Sequence, residues 1–166
     1  MTLAAPAPLA NRHDLTRFDC GNASLDDWLK RRARANQISG ATRTFVACDD
    51  NVVAGYYALA AGGVSLAAAT GRFRRNMPDP IPVALLARLA VDHRWQSKGI
   101  GRALFRDAAM RLASAAETLG IRGVLVHAIS DEAKAFYLSL GFDPSPLEPM
   151  MLMATMADIQ NVLGLT

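Results

Sequence analysis

Residues 89–104 constrain the fold more strongly than any other part of this 166-residue chain. They read Leu-Ala-Val-Asp-His-Arg-Trp-Gln-Ser-Lys-Gly-Ile-Gly-Arg-Ala-Leu, an apolar strand, a polar turn and a helix that begins at two glycines. The amides at such a helix start are unpaired and lie at the positive end of the helix dipole. Glycine lets a phosphate approach the backbone, and Lys98 and Arg102 add charge beside it. The sequence therefore predicts a strand–loop–helix unit that binds phosphate.

The spacing excludes two common phosphate loops. A Rossmann fingerprint requires a third glycine where this chain has Leu104. A Walker A loop requires Gly-Lys-Ser/Thr after four spacer residues, and the chain contains no such run. The pattern that remains is Q-x-x-G-x-G, formed by Gln96, Gly99 and Gly101 after an apolar strand.

Strands and helices alternate around this unit, which predicts an α/β (α+β) fold with a central mixed β-sheet flanked by helices. Strands are predicted at residues 44–48, 52–60, 83–91, 122–129 and 150–156. Helices are predicted from Asn22 onward, with Ser24 and Asp27 as a capping box, and at residues 99–119, 131–140 and 158–165. Gly120 and Gly141 are expected to end two of these helices, and residues 62–82 are expected to form a long loop.

The composition predicts a single domain over residues 1–166. Hydrophobic residues make up 51% of the chain, which excludes disorder because a core can form. No apolar run reaches the roughly 18 residues of a membrane span, and the apolar N-terminal stretch lacks the basic residues of a signal peptide. The two cysteines form no CxxC and no metal-binding spacing with the three histidines. These features favour a reduced cytoplasmic protein without a metal site or a membrane partner.

The net charge of +3 is unevenly distributed. Lys and Arg exceed Asp and Glu by six in residues 71–106, whereas the acidic residues exceed the basic ones by four in residues 107–166. Concentrated positive charge indicates an anionic partner such as a phosphate-rich ligand or a nucleic acid. The alternative is a solvated basic face on a protein rich in Arg and Ala, and charge alone does not separate the two.

The Q-x-x-G-x-G run resembles the acetyl-CoA loop of the GNAT superfamily of N-acetyltransferases. A second motif follows at the family's distance, because residues 131–142 resemble its A-x-x-F-Y-x-x-x-G-F signature. The resemblance implies one GNAT-type domain, with acetyl-CoA in the splay between two parallel strands.

The resemblance also implies the cofactor site. Strand backbone would pair with the pantetheine arm, loop amides would hold the pyrophosphate, and the helix after the second strand would contact the arm. The implied cofactor-binding residues are Leu89, Ala90, Val91, Gln96, Ser97, Lys98, Gly99, Ile100, Gly101, Arg102, Ala103, Ser130, Ala133 and Phe136. Ser130 stands where many family members carry Asn, which leaves the hydrogen bond expected there open.

Tyr137 matches the family tyrosine that protonates the leaving CoA thiolate. A phenol with a pKa of about 10 can donate a proton to a thiolate whose conjugate acid has a pKa of about 8.5. The alternative is that Phe136 and Tyr137 only pack their helix on the sheet.

The general base is left open by the sequence. The strand that leads into the loop carries no Glu. Asp92 and His93 follow this strand, but instead of acting as a base Asp92 can cap the turn and His93 can be a surface residue. An α-amine, with a pKa of about 7.7, is partly neutral at physiological pH, whereas the lysine amine titrates near about 10.4. The missing carboxylate therefore favours an α-amine acceptor.

The N-terminal half is similar to one branch of the family, the GNAT toxins of type II toxin–antitoxin systems. The matching segments are residues 18–29, 43–46, 55–59 and 81–92. This branch acetylates the α-amine of aminoacyl-tRNA and stops translation. Its usual partner is a ribbon-helix-helix antitoxin that binds operator DNA. The resemblance implies this function, with any DNA contact made only through the antitoxin. We also expect a homodimer.

Arginine offers planar, bidentate contacts to the phosphates of a tRNA acceptor stem. The candidate residues lie on the first helix and in the long loop: Arg31, Arg32, Arg34, Arg72, Arg74 and Arg75. Taken singly, each is more simply a solvated surface charge, but as a set they favour RNA. Arg88 is different because burying it unpaired in an apolar strand would be costly, so it should face the cleft or pair with a carboxylate.

Two other functions remain open from the sequence. The first is a GNAT enzyme that acetylates a protein N-terminus or a small-molecule amine, and it would use the same cofactor site and Tyr137. The second is a non-catalytic module that binds acyl-CoA or a protein partner. The effect of Tyr137→Phe separates catalysis from binding alone.

Overall fold

The computed structural model describes residues 3–164, whose strands form a mixed sheet with the order β1-β2-β3-β4-β5-β7-β6. The strands are β1 (Ala7–Pro8), β2 (Arg43–Asp49), β3 (Val52–Val64), β4 (Ile81–Val91), β5 (Gly123–His127), β6 (Asp143–Pro144) and β7 (Met151–Thr155). The helices are α1 (Ala23–Arg31), α2 (Ala33–Ser39), α3 (Gly71–Arg74), α4 (Ile100–Ala115), α5 (Asp131–Ser139) and α6 (Met156–Leu163). The predicted α/β fold with a central mixed sheet is therefore confirmed.

The chain divides into two compact units, and β3, β4 and α4 each contribute residues to both. The first unit contains the residues up to 60 together with 87–108, and the second contains residues 61–86 together with 109 onward. No helix within residues 3–164 is long and apolar enough to cross a membrane.

Helix α1 of the first unit begins at Asn22, whose side chain accepts a hydrogen bond from the Leu25 amide at 3.2 Å. The predicted capping box is wrong, because Ser24 already lies within the helix and the extended backbone that a cap requires occurs at Asn22. Leu25 and Leu29 are buried in a core that includes Tyr56. The Tyr56 hydroxyl donates to the Leu25 carbonyl at 2.7 Å, which fixes the helix on β3.

The predicted β2–β3 hairpin is confirmed. Asp50 and Asn51 form its turn with positive φ angles of 48° and 67°, a backbone that Asn and Asp tolerate better than most residues. The predicted loop is wrong at both ends, because residues 62–64 continue β3 and residues 81–82 already belong to β4. The space beside Gly62 is narrow: a Cβ there would lie 3.6 Å from the side chains of Val83 and Leu85. Strand β3 therefore continues through its glycines, although glycine is a residue typical of loops.

Helix α4 ends at Ala115, several residues before the expected stop at Gly120. The backbone tightens there, since the amides of Glu117 and Thr118 donate to carbonyls three residues back at 3.2 and 3.0 Å. Gly141 follows α5 with a φ of 92°, as expected for a residue that ends a helix.

The second unit has its own core around Phe73, Ile81, Leu125 and Met153. Its last helix, α6, begins two residues earlier than predicted, because Thr155 and Asp158 form a reciprocal capping box. The predicted end of this helix at residue 165 lies outside the described residues. The parallel ladder between β4 and β5 pairs Ala84 with Val124 and Leu85 with Leu125.

Gly123 lies at the start of β5, where β7 approaches closely. A Cβ there would lie 2.0 Å from the Ala154 carbonyl oxygen and 2.8 Å from Cε1 of Phe73. Backbone atoms cannot move aside as a flexible side chain can. We therefore expect Gly123→Ala to lower the free energy of unfolding by about 3 kcal/mol, at the upper end of the cost of overpacking. Denaturant unfolding monitored by circular dichroism measures this change.

Gly120→Ala is the matched control. A Cβ at Gly120 meets nothing within 4 Å, so the same substitution should leave stability within about 0.5 kcal/mol. Equal stability of the two variants would contradict the close approach of β7 to β5.

Candidate active site

Asp92 anchors the point where β4 ends and the predicted phosphate loop begins. Its carboxylate is fully buried and accepts hydrogen bonds from the Asp19 amide at 3.0 Å, the Arg94 amide at 2.9 Å and the Arg94 side chain at 2.9 and 3.2 Å. Its own amide donates to the Ala54 carbonyl at 2.8 Å. Burial acts to raise the pKa of Asp92, but the hydrogen bonds from Arg94 and Asp19 outweigh it and the pKa is lowered. Asp92 is therefore a charged structural anchor.

His93 is the other residue that the sequence left open as a general base. Its Nδ1 lies 2.9 Å from the Asp19 carbonyl oxygen, and its amide donates to the same oxygen at 2.9 Å. Both acid–base candidates next to the loop are thus held by interactions within the first unit.

The loop is tied down by the side chain of Gln96. Its side-chain Nε2 donates to the backbone carbonyls of Val91 at 2.9 Å and Cys20 at 3.0 Å. The Gln96 amide bonds to the His93 carbonyl at 3.4 Å, and the Ala103 amide makes the first bond of α4 to Gly99 at 3.1 Å. The backbone amides of residues 97–102 lie between these two hydrogen bonds. Among the described residues they donate to no hydrogen-bond acceptor.

Positive φ angles shape the same segment. Ser97 has a φ of 62° and Gly99 a φ of 78°, and nothing lies within 4 Å of where a Gly99 Cβ would be. Lys98 places its ammonium 5.8 Å from the centre of the Trp95 ring. The result is an exposed turn with available amides and one flexible cation, which can bind a phosphate.

The second unit contains the remaining predicted contacts. Ser130 is the N-cap of α5, and its Oγ accepts a hydrogen bond from the Ala133 amide at 3.1 Å. These two predicted residues thus bond to each other. Phe136 is half-buried, and its ring packs edge-on against Tyr137 with centroids 5.2 Å apart.

Tyr137 is held by aromatic contacts on two sides. Its ring also packs against Phe142 at 5.5 Å, and only 8% of the residue is exposed. Burial raises the pKa of Tyr137 to about 12. Among residues 3–164, no group forms a hydrogen bond with the Tyr137 hydroxyl. The phenol is therefore a protonated donor at physiological pH.

Arg88 lies in the first unit and stacks on an aromatic ring. Its guanidinium carbon lies 5.0 Å from the centre of the Trp28 ring, and Trp28 in turn stacks on Tyr56. Its Nη1 donates to the Ala87 carbonyl at 2.9 Å, whereas its buried Nε has no partner among the described residues. No described carboxylate forms an ion pair with Arg88. The sequence did not indicate the role of Trp28, which depends on a contact between distant segments.

The other predicted arginines are of two kinds. Arg31, Arg32, Arg74 and Arg75 are exposed. Arg34 is half-buried and donates to the His13 carbonyl at 2.5 Å.

Arg72 is exposed and forms an ion pair with Asp158 of α6. The sequence missed Arg122, whose guanidinium donates to the carbonyls of Phe73 at 2.9 Å and Arg72 at 2.8 Å. Arg122 precedes a strand outside both motifs, and nothing in the sequence distinguished it.

Residues 3–164 contain no group of three His, Cys, Asp or Glu side chains placed to hold a metal ion. Cys20 and Cys48 are free thiols. Burial raises the pKa of Cys20 to about 12 and that of Cys48 to about 11, so neither is a thiolate near neutral pH.

A protein-family model described as an acetyltransferase (GNAT) domain matches residues 40–144, which is more than half of the chain. The chain therefore belongs to the GNAT family of acetyltransferases.

Individual relatives narrow this assignment. A protein of Mycobacterium tuberculosis named tRNA-acetylating toxin is 50% identical over 161 residues, which are 97% of each chain. A structure of AtaT complexed with acetyl-methionyl-tRNAfMet matches with a TM-score of 0.88 and 29% identity, over 98% of this chain and 99% of that one. A mutant AtaT toxin bound to the C-terminus of the antitoxin AtaR and acetyl-CoA matches with a TM-score of 0.82 and 28% identity, over 97% and 98%. These findings confirm the predicted N-acetyltransferase and the predicted toxin branch.

Acid unfolding tests the role of Asp92. Its pKa is lowered in the folded protein, so its stabilisation is complete above the ordinary carboxyl pKa of about 3.9 and is lost as the pH falls through the lower folded value. We expect Asp92→Asn to reduce stability by about 2 kcal/mol at pH 7, because hydrogen bonds to a charged acceptor are replaced by weaker ones. The difference from wild type should shrink as the pH falls below the ordinary carboxyl value.

Urea unfolding at a series of pH values measures this difference. Asp27→Asn is the control, since Asp27 is exposed on α1. A constant difference between Asp92→Asn and wild type across the acid range would contradict a charged, buried Asp92.

Proposed function

We propose that this chain is the toxin of a type II toxin–antitoxin system, which transfers an acetyl group from acetyl-CoA to the α-amine of aminoacyl-tRNA and thereby blocks translation. The observation that carries the proposal is Tyr137, a buried phenol with an available hydroxyl in a GNAT chain 50% identical to a tRNA-acetylating toxin. In this proposal residues 1–166 form one GNAT domain.

The loop fits the cofactor's pyrophosphate, because its amides lack recorded partners and Gly99 holds the left-handed backbone that exposes them. In this proposal, residues 97–102 bind the pyrophosphate through backbone amides, Lys98 and Arg102 add charge, and Gln96 and Ala103 hold the ends of the loop. Leu89, Ala90 and Val91 present strand backbone to the pantetheine arm.

Residues on α5 complete the cofactor contacts in the proposal. Ser130 and Ala133 act by capping this helix, and Phe136 contacts the arm. Acetyl-CoA supplies an activated acyl thioester when it is bound.

Tyr137 is the proposed general acid. Its hydroxyl donates a proton to the departing sulfur, and the tyrosinate then recovers a proton, so that the acceptor amine loses one proton overall and the thiol gains one. A pKa of about 12 keeps the hydroxyl protonated until that step. A low-polarity site raises the pKa of a thiol as well, so the departing sulfur also becomes a stronger proton acceptor there.

The acceptor is best matched by an α-amine. Asp92 and His93 are both engaged in holding the loop, so neither is assigned as a base. An α-amine with a pKa of about 7.7 is partly neutral at physiological pH and requires less assistance than a lysine side chain.

Arginines provide the tRNA contacts in this proposal. The residues assigned to phosphate binding are Arg31, Arg32, Arg34, Arg72, Arg74 and Arg75. Arg88 stacks on Trp28 with a buried, unpartnered Nε, and we assign it to the acceptor side of the site. Binding of this kind positions the substrate and does not read its sequence.

The proposal extends to the protein's partners and location. A ribbon-helix-helix antitoxin neutralises the toxin and makes the only contact with DNA. The toxin forms a homodimer and acts in the cytoplasm, where aminoacyl-tRNA is consumed by translation.

Tyr137→Phe tests the chemistry. We expect acetyl transfer to charged tRNA to fall about 100-fold or more, the loss typical of a missing general acid, while acetyl-CoA binding is unchanged. The variant retains the ring that packs between Phe136 and Phe142, so the fold is preserved. The assay uses radiolabelled acetyl-CoA with charged tRNA, uncharged tRNA and a mixed peptide pool as separate acceptors.

Tyr57→Phe is the control for loss of a phenol elsewhere, since the Tyr57 hydroxyl donates to Asp107 at 2.5 Å. It should retain most of the activity. Label on peptides alone would instead support an enzyme that acetylates a protein N-terminus or a small amine. Label on charged tRNA that survives Tyr137→Phe would exclude Tyr137 as the acid.

A further inference from the structure

A cavity of about 430 Å³ lies in the second unit, outside the residues assigned to acetyl-CoA. It is lined by Arg72, Arg75, Arg122, Thr155, Met156 and Ala157. Three arginines thus meet the first residues of α6, where the helix dipole adds positive potential. The Met156 and Asp158 amides are already bonded, to the Arg122 carbonyl and the Thr155 hydroxyl. Apart from Met156 and Ala157 the lining is polar.

Arg122 is fixed in this cavity by two of its N–H groups. Nε donates to the Phe73 carbonyl and Nη2 donates to the Arg72 carbonyl. Both carbonyls belong to the final turn of α3. A guanidinium has five N–H donors, so three remain for a ligand. Among the described residues no carboxylate forms an ion pair with Arg122 or Arg75.

Asp158 partly neutralises the cavity. It pairs with Arg72, and it also completes the α6 capping box through Thr155. Burial acts to raise the pKa of Asp158, but the hydrogen bonds from Arg72 and Thr155 outweigh it and the pKa is lowered, so the carboxylate is charged near neutral pH. With three arginines and one carboxylate, the side chains carry a net charge of +2.

We propose that this cavity binds a backbone phosphate of the tRNA substrate, with Arg75 and Arg122 as its main contacts and Asp158 as a residue that weakens the binding. The inference rests on the proposed function. A phosphodiester suits planar, bidentate donors and a helix start, and the cavity can also hold part of the adjoining ribose. An acidic peptide is the less suitable occupant, because the lining offers no aromatic or large aliphatic pocket for an anchor side chain.

The first measurement is the binding of fluorescently labelled, uncharged tRNA across a series of salt concentrations. We expect Arg75→Glu to weaken binding about 10-fold and to lower the slope of log K against log salt by about 1, as for one lost phosphate contact. Arg74→Glu, in the same segment but outside the cavity lining, should have a smaller effect. Arg12→Glu, an exposed arginine in the first unit, is the control for charge alone and should change affinity less than about 2-fold.

Asp158→Asn gives a change in the opposite direction. It removes the negative charge and releases Arg72, while the amide oxygen can still accept the capping hydrogen bond. We expect tighter tRNA binding and a steeper salt slope. A residue with only a structural role would not produce this gain. Arg122→Lys, which retains the charge but loses the planar fork, should fall between wild type and Arg75→Glu.

Acetyl transfer to an aminoacylated CCA trinucleotide separates this inference from the proposed function, because that acceptor lacks the duplex phosphates. Any loss of transfer caused by Arg75→Glu should be smaller on this acceptor than on charged tRNA, and Asp158→Asn should acetylate it at the wild-type rate. No transfer by the wild type to either charged tRNA or the trinucleotide would refute the proposed function, whatever the binding data show.

Three results would overturn the cavity inference alone. One is an effect of Arg75→Glu no larger than that of Arg12→Glu, and another is weaker tRNA binding by Asp158→Asn. The third is unchanged tRNA binding by Arg75→Glu together with lost binding of a polyglutamate peptide, which would assign the cavity to an acidic peptide.

Discussion

The buried charge of Asp92 is the constraint on which the candidate site depends. A carboxylate removed from water must be matched by donors, and Asp92 obtains them from the Asp19 amide and from the backbone and side chain of Arg94. These bonds set where β4 ends and fix the chain that follows. The Gln96 side chain, bonded to two carbonyls, then holds the loop so that its amides remain available. The loop proposed to bind phosphate is thus fixed from its N-terminal side by charge pairing before α4 begins.

Much of the fold could be predicted because its signals are local. The hairpin at Asp50 and Asn51, β4, β5 and α5 each follow from short-range patterns of apolar residues and turns. Helix α2 could not be predicted in this way: Ile38 is 88% exposed, and the segment lacks the apolar stripe that marks an amphipathic helix. The first helix was found, but its cap at Asn22 was not, because the backbone conformation decides between neighbouring Asn and Ser residues.

The site was predictable to a different extent. The loop and Tyr137 could be placed because their motifs lie within short segments. Side-chain partners could not, since they depend on contacts between distant segments. Gln96 bonds to Cys20, Arg88 stacks on Trp28, and Arg122 clamps α3. Of the two alternatives expected for Arg88, facing the cleft or pairing with a carboxylate, no carboxylate pair forms among the described residues. Its guanidinium stacks on an aromatic face instead, which is another way to bury it.

The clamp on α3 also affects the entropy of binding. A helix of four residues is far too short to persist alone, since each ordered residue costs conformational freedom. Arg122 holds its last turn through two carbonyls and so maintains this segment in one conformation. An anion that binds Arg72 then contacts a surface that is already ordered, so the entropic cost of ordering the chain on binding is smaller. Substitution of Arg122 can therefore weaken a ligand that never contacts it, by allowing its neighbours more freedom.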